Sequence, residues 1–348
     1  MVAASNWHAD SSLPKARISI TGDCNLDCFF CKPLGNHSYK TGMKWSLMPS
    51  DAARFCRSLA EKGITKVEIA GCEPLLRKDA PSFVKSVSSI KAVKELSLKT
   101  NGTFLKNYVD ALKKVGLKRL EITLTSLNFM KYQKITGRDN LYRVLDGLEK
   151  AERLKFSELV LNILVMSGIN SDELIDFAML TKTKNIHVRF FEYHPIETDP
   201  MSVEKLGMSI LHIKRSIDSF QKLLPYDDGF DCGGIAKFKF IDGIGTVSFL
   251  NQSDIERLRA EPVVALNSIG ELQSSGSPNK TVNILKDLRR DSKSEALSKL
   301  IDKNINSAIG KRKAHSKLKV KAKSHSKKAR PSSLKKSRPK RRTLRASA

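Results

Sequence analysis

Residues 17–31 read RISITGDCNLDCFFC, and their reading decides the fold. The apolar alternation from Ile18 to Ile20 predicts a buried strand. It runs directly into Cys24, Cys28 and Cys31, at spacing C-x3-C-x2-C. Three thiolates in one loop suit an iron–sulfur cubane, because three cysteines leave one of its four irons open to chelate a small molecule. The alternative is a structural zinc site, for which His37 lies close enough in sequence to be the fourth ligand. Six cysteines in 348 residues, without an apolar N-terminal signal, point to a reducing, cytoplasmic setting rather than a disulfide framework.

The net charge of +26 is unevenly spread. Residues 311–348 carry 17 Lys or Arg and no Asp or Glu, leaving 26 − 17 = +9 for the first 310 residues. That tail holds Lys, Arg, Ser and Pro with scarcely any large apolar residues, too few to offset the entropy of ordering, so disorder is expected there. Such a segment draws affinity for nucleic acid or another polyanion from counterion release. Without aromatic residues to stack on bases, it would tether rather than read sequence. No run approaches the ~18 apolar residues that span a bilayer, so no membrane association is expected.

After the cysteines the chain alternates strand and helix patterns. Helices are predicted over 51–61, 82–90, 104–115, 140–154 and 171–182, and strands over 66–70, 95–99, 119–124, 158–166 and 187–192. Six strand–helix units in about 190 residues imply an α/β fold with a parallel sheet and right-handed crossovers, an open, partial TIM-type barrel. Chemistry in such barrels sits on the loops at the C-terminal strand ends. The second of these loops reads Gly71-Cys72-Glu73-Pro74, the third Lys99-Thr100-Asn101-Gly102, and the fourth Thr123-Leu124-Thr125-Ser126.

The cysteine spacing, with Phe30 just before the last cysteine, resembles the radical S-adenosylmethionine (SAM) superfamily. Residues 71–74 resemble its Gly-Gly-Glu-Pro motif, with Cys72 standing for the second glycine. The resemblance implies a 4Fe-4S cluster on Cys24, Cys28 and Cys31, with SAM on the open iron. It also implies SAM contacts from Phe30, Gly71, Cys72, Glu73, Pro74 and Thr123, and an electron donor such as a ferredoxin or flavodoxin. Residues 17–21, 135–138, 161–170 and 189–195 further resemble the GTP 3',8-cyclase branch of molybdenum-cofactor synthesis, which adds His194 to the candidate cofactor contacts. Arg17, Lys99, Lys237 and Lys239 become candidate substrate contacts.

Against that branch's pattern the chain departs at the substrate side. Three C-terminal cysteines hold a second cluster in the cyclases, whereas here only Cys232 remains, with Ile235 and Phe249 at the other two places. One thiolate cannot hold a cubane. Glu68 stands for an arginine and Val160 for a lysine, and a carboxylate facing a triphosphate is repulsive. The reading is a SAM-cleaving enzyme that abstracts hydrogen from another small molecule. Alternatives are a divergent GTP cyclase, or a nucleic-acid-directed or non-catalytic iron–sulfur protein.

The chain divides into an N-terminal extension (1–14), a core barrel (15–225), a cyclase-like C-terminal region (226–309) and the basic tail (310–348). Helices are expected over 256–260 and 284–305, packed across the open side of the barrel, with a loop over 274–279 rich in Ser, Gly and Pro.

Overall fold

A computed structural model describes residues 15–31, 46–193, 206–227, 235–254, 262–274 and 277–290, with 299 and 302. Strands β1 (Lys15–Ser19), β2 (Lys66–Ala70), β3 (Glu95–Thr100), β4 (Arg119–Thr123), β5 (Glu158–Val165) and β6 (His187–Glu192) lie side by side in sequence order, all parallel. Between them run α1 (Pro49–Ala60), α2 (Ala80–Ser88), α3 (Leu105–Lys114), α4 (Phe129–Thr136), α5 (Leu141–Arg153) and α6 (Leu174–Thr183), and α7 (Ile210–Phe220) follows β6. The open, partial barrel expected from the sequence is present.

The sheet is wider than six strands. Two further parallel strands flank it, β9 (Thr246–Leu250) beside β6 and β10 (Pro262–Leu266) beside β1. Antiparallel ribbons then extend both edges: β8 (Lys237–Phe240) and β7 (Leu223–Tyr226) on one, β11 (Glu271–Ser274) and β12 (Ser277–Asn283) on the other. Strands from both sides of residue 226 therefore belong to one sheet.

This corrects the reading of the C-terminal region as helical cover for the open side. It extends the sheet instead, and β11 and β12 take up Ser274 and 277–279 of the stretch expected as a loop. One described helix, α8 (Leu285–Arg290), falls in the range predicted over 284–305, while 256–260 lies outside the described residues. Arg289 at the end of α8 holds the buried Asp51 of α1 at 3.0 Å and the carbonyl of Ser46 at 2.6 Å. The hairpin is thus pinned to the helix that follows the cysteine loop.

Helix α4 was not predicted. Asn128 caps it by accepting from the backbone of Lys131 (3.1 Å), and Gly137 ends it at φ +68°. A side chain at Gly137 would press on Asp27 at 3.2 Å. That closeness matters, because the carbonyls of Thr136 and Ile135 accept from the backbone of Asp27 (2.8 Å) and Phe29 (3.2 Å). The end of α4 therefore braces the cysteine loop from the far side of the barrel.

Period-two alternation separates the two faces of the sheet. Ile18, Ile69, Leu98, Ile122, Leu161, Val188 and Val247 face the helices and form the main core. Arg17, Glu68, Lys99, Glu121, Asn162, Arg189 and Ser248 take the other face. Burying about eight such strands' apolar face supplies the driving force, at roughly 25 cal/mol per Å², and leaves the inner face free for chemistry.

Candidate active site

Backbone and side chains around the cysteines form one hydrogen-bonded unit. Asp23 N donates to Thr21 Oγ1 (3.0 Å), Leu26 N to Cys24 Sγ (3.4 Å) and Cys31 N to Cys28 O (3.0 Å). Arg77, buried behind the loop, donates to the carbonyls of Ile20 (2.9 Å) and Leu47 (3.1 Å) and pairs with Asp79. Phe30 packs edge-on to Phe29 at 5.9 Å, beside a small core of Ile135, Met166, Tyr193 and Leu206.

Sulfur is concentrated here. Cys28 hydrogen-bonds to Cys31, which together with burial and the charges of Cys31 and Cys24 holds the Cys28 thiol well above its usual range, while Cys31 is lowered by the same bond. Burial raises Cys24. Burial, followed by the charges of Cys24 and Cys31, pushes Cys72 up to about 11. Packed thiols that resist ionising one another favour a cation that accepts all of them as thiolates.

Glu73 is wholly buried beside this sulfur. Its carboxylate accepts from Leu75 N (2.9 Å), Thr100 Oγ1 (2.7 Å) and Asn101 N (2.6 Å), so the second loop is locked to the third. Burial outweighs these bonds and raises its pKa to about 7. Asn101 carries the connection onward, donating to Asn25 Oδ1 (3.0 Å) and to Cys24 Sγ (3.8 Å). Asn25 and Thr103 close a three-residue ring with it, through bonds of 2.9 and 2.7 Å. Pro74 opens a buried single-turn helix, and Thr123 sits half-buried at the end of β4, in register with Asn162.

On the inner face, Glu68 receives Lys15 Nζ at 2.5 Å and Arg17 Nε at 2.6 Å. Burial pushes its carboxyl up, but Lys99, Lys15 and Arg17 overcome that and hold it below the ordinary carboxylate range. Glu121 is the second anion, with Arg119 at 2.8 Å, Arg189 at 3.7 Å and Lys99 at 3.9 Å. Its carboxyl is likewise pushed up by burial and pulled well below the usual range by Arg119, Lys99 and Arg189. The repulsion expected of Glu68 thus takes another form: the carboxylate is neutralised, and it occupies the cations that a phosphate would need.

Two inner-face groups were missed as site residues. Arg189 Nε and Asn162 Oδ1, buried neighbours in register on β6 and β5, have no hydrogen-bond partner among the described residues. Their sequence signal was present, since both break apolar strand runs on the phase facing away from the helices.

The remaining candidates are dispersed. Lys237 pairs with Ser248, in the layer of Arg189 and Asn162, and lines a cavity of about 130 Å³ with Glu158, His187 and Thr246 at the N-terminal strand ends. Lys239 stands over the Tyr226 ring at 5.1 Å on the edge ribbon. Phe249 turns to the helix side, stacked on Phe190 at 5.8 Å and against Phe238 at 5.7 Å. His37, His194 and Cys232 lie outside the described residues.

Comparison with known proteins places this arrangement. The family model described as the radical SAM superfamily matches residues 18–181. GTP 3',8-cyclase of Alkaliphilus metalliredigens is 33% identical over 281 residues, covering 80% of this chain and 86% of that protein. The Moorella thermoacetica GTP 3',8-cyclase is 35% identical over 237 residues, covering 67% of this chain and 72% of that protein. The chain belongs to the radical SAM superfamily, on the GTP 3',8-cyclase branch. Among solved structures, Streptococcus suis SuiB bound to S-adenosylmethionine shares the fold, with TM-score 0.54 and 16% identity over 83% of this chain and 68% of that one.

As a radical SAM enzyme, the chain uses a 4Fe-4S cluster and SAM. The residues fit this group: three mutually interacting thiols converge in one braced loop, with amide donors aimed at Cys24 and a buried carboxylate behind them. Among the described residues, no helix is long and apolar enough to cross a membrane.

Proposed function

We propose that Cys24, Cys28 and Cys31 hold the cluster, that Gly71, Glu73 and Thr123 position SAM over it, and that the inner face binds a small molecule other than GTP. Held there, a cluster with SAM would supply the reductive cleavage and radical chemistry by which hydrogen is taken from a substrate. The protein's residues do the rest. Glu73 would accept from the SAM amino group, Gly71 would let the backbone come close, and Phe30 with its apolar neighbours would exclude water. A ferredoxin or flavodoxin would deliver the electron.

Glu73 gives this reading a pH signature. Its carboxylate, the form that accepts hydrogen bonds, appears as pH rises through about 7. SAM binding should therefore tighten roughly tenfold between pH 6 and 8, as a single titrating group requires. The stability contributed by its raised pKa runs the other way, present below about pH 4.5 and lost as pH rises through about 7. Titrating SAM into cluster-loaded protein checks this, with Glu73→Gln expected to give a flat profile; a wild-type profile equally flat contradicts it.

The observation that carries the substrate reading is the commitment of Lys15 and Arg17 to Glu68, at 2.5 and 2.6 Å. Cations held by a buried carboxylate are withdrawn from a triphosphate. Glu68→Gln frees both, and because charge-assisted contacts contribute about 1.5–3 kcal/mol each, GTP should bind at least about tenfold more tightly to the variant. Equilibrium binding to wild-type and variant protein tests this, and equal affinities would overturn the reading. A second reading, a divergent GTP 3',8-cyclase, is favoured by the activity named for the relatives and by the unpartnered Arg189 Nε and Asn162 Oδ1.

The basic tail, outside the described residues, fits a polyanion tether. Removing residues 311–348 takes away 17 positive charges and none of the motifs above. Truncated protein should keep its cluster and its SAM cleavage while nucleic-acid affinity falls and loses its steep salt dependence. Loss of cleavage on truncation would place the tail in the active site.

A further inference from the structure

Cysteine replaces the second glycine of the SAM motif, and the backbone fixes where it stands. Cys72 N donates to Thr21 O (3.1 Å) and Glu73 N to Asp23 O (2.9 Å), so the second loop is laced to the residues leading into Cys24. The approach is close enough that a Cβ on Gly71 would lie 2.7 Å from Thr21 O. Asn101 clamps the same corner, since its backbone holds Glu73 and its side chain reaches Cys24 Sγ.

We propose that Cys72 is a fourth cysteine ligand of the cluster when SAM is absent, occupying the iron that SAM takes on binding. The assignment rests on Cys24, Cys28 and Cys31 holding the cluster. Three features support it besides the laced backbone. Cys72 is half-buried, so its sulfur need not leave bulk solvent to reach the site. Its backbone is bonded to Thr21, three residues before Cys24, and the charges of Cys24 and Cys31 are felt at its thiol. Thiolate is also a better iron ligand than the water that would otherwise fill an open position.

The exchange balances without an oxidant. On capping, the Cys72 thiol releases a proton and its sulfur bonds to iron. When SAM arrives, that bond breaks and the sulfur takes up the proton shed by the SAM ammonium group, whose nitrogen bonds, together with the carboxylate oxygen, to the same iron. No electron moves in either direction. The cap would protect the iron most easily lost and make SAM compete with a protein thiolate.

The test uses full-length protein, loaded anaerobically without SAM and assayed for iron and sulfide. A cubane with a non-cysteine position loses that iron on oxidation and gives a 3Fe-4S centre, visible by electron paramagnetic resonance. After one equivalent of ferricyanide, Cys72→Gly should give at least about fivefold more of this signal than wild type. Cys72→Ser, which keeps the side-chain size, should behave like Cys72→Gly. Mössbauer spectra of wild-type protein give a second readout without substitution: the irons should be alike before SAM and one should become distinct after it. Equal 3Fe-4S yields in wild type and variants, or a distinct iron in wild type before SAM, overturns the fourth ligand alone. Wild-type protein that takes up no iron–sulfide cluster refutes the three-cysteine assignment and the cap together.

Discussion

Cys24→Ala protein is expected to emerge from anaerobic reconstitution without a 4Fe-4S cluster and to form no 5'-deoxyadenosine above background. The effect is this large because one residue serves two networks. In the proposed assignment its sulfur is one of three cluster ligands, and it also receives Leu26 N and Asn101 Nδ2, through which the third loop and Glu73 are tied to the site. Two cysteines cannot retain a cubane that needs three or four. Cys232→Ala should retain a full complement of about four irons per chain, the content of a single cubane. Iron and sulfide analysis with an absorbance spectrum checks both variants, and a Cys24→Ala protein that keeps its cluster, or stoichiometric zinc in wild type, contradicts the assignment.

GTP cyclisation should run at least about two orders of magnitude below the enzyme's SAM cleavage. The cyclase pattern meets a triphosphate with arginines, a lysine and a second cluster. Here Val160 stands for the lysine, Glu68 for an arginine, and Arg17 is already bonded to Glu68. Phe249 belongs to an aromatic stack on the helix side of the sheet and cannot replace a ligand on the inner face. Lys237 lines the cavity among the N-terminal strand ends, and Lys239 covers Tyr226. Losing two charge-assisted phosphate contacts costs about 3–6 kcal/mol, or two to four orders of magnitude in affinity.

The order of strands and the cysteine loop were legible because both are local patterns. An apolar alternation that ends in C-x3-C-x2-C places a strand and a site together, and β2 and β6 begin and end where their sequences indicated. Helix α4 escaped because Phe129 and Met130 are exposed, which blurs the apolar period, although Asn128 and Gly137 marked both its ends. The C-terminal strands escaped for a different reason. β11 is only four residues long and β12 is polar at the sheet edge, where pairing partners rather than burial define them, and β10 pairs with β1 from the other end of the chain. The site was half legible on the same grounds. Glu73 and its neighbours lie in one motif, whereas the grip of Glu68 on Lys15 and Arg17 depends on the register of β1 against β2, and that of Glu121 on Arg189 spans three strands.

Full-length protein can be reconstituted anaerobically and incubated with SAM, dithionite and GTP, with 5'-deoxyadenosine and cyclised nucleotide quantified from the same reaction. 5'-Deoxyadenosine should form independently of GTP, with cyclised nucleotide at no more than about a hundredth of it. Cyclised nucleotide in step with 5'-deoxyadenosine, or no 5'-deoxyadenosine from fully loaded enzyme, would contradict this expectation.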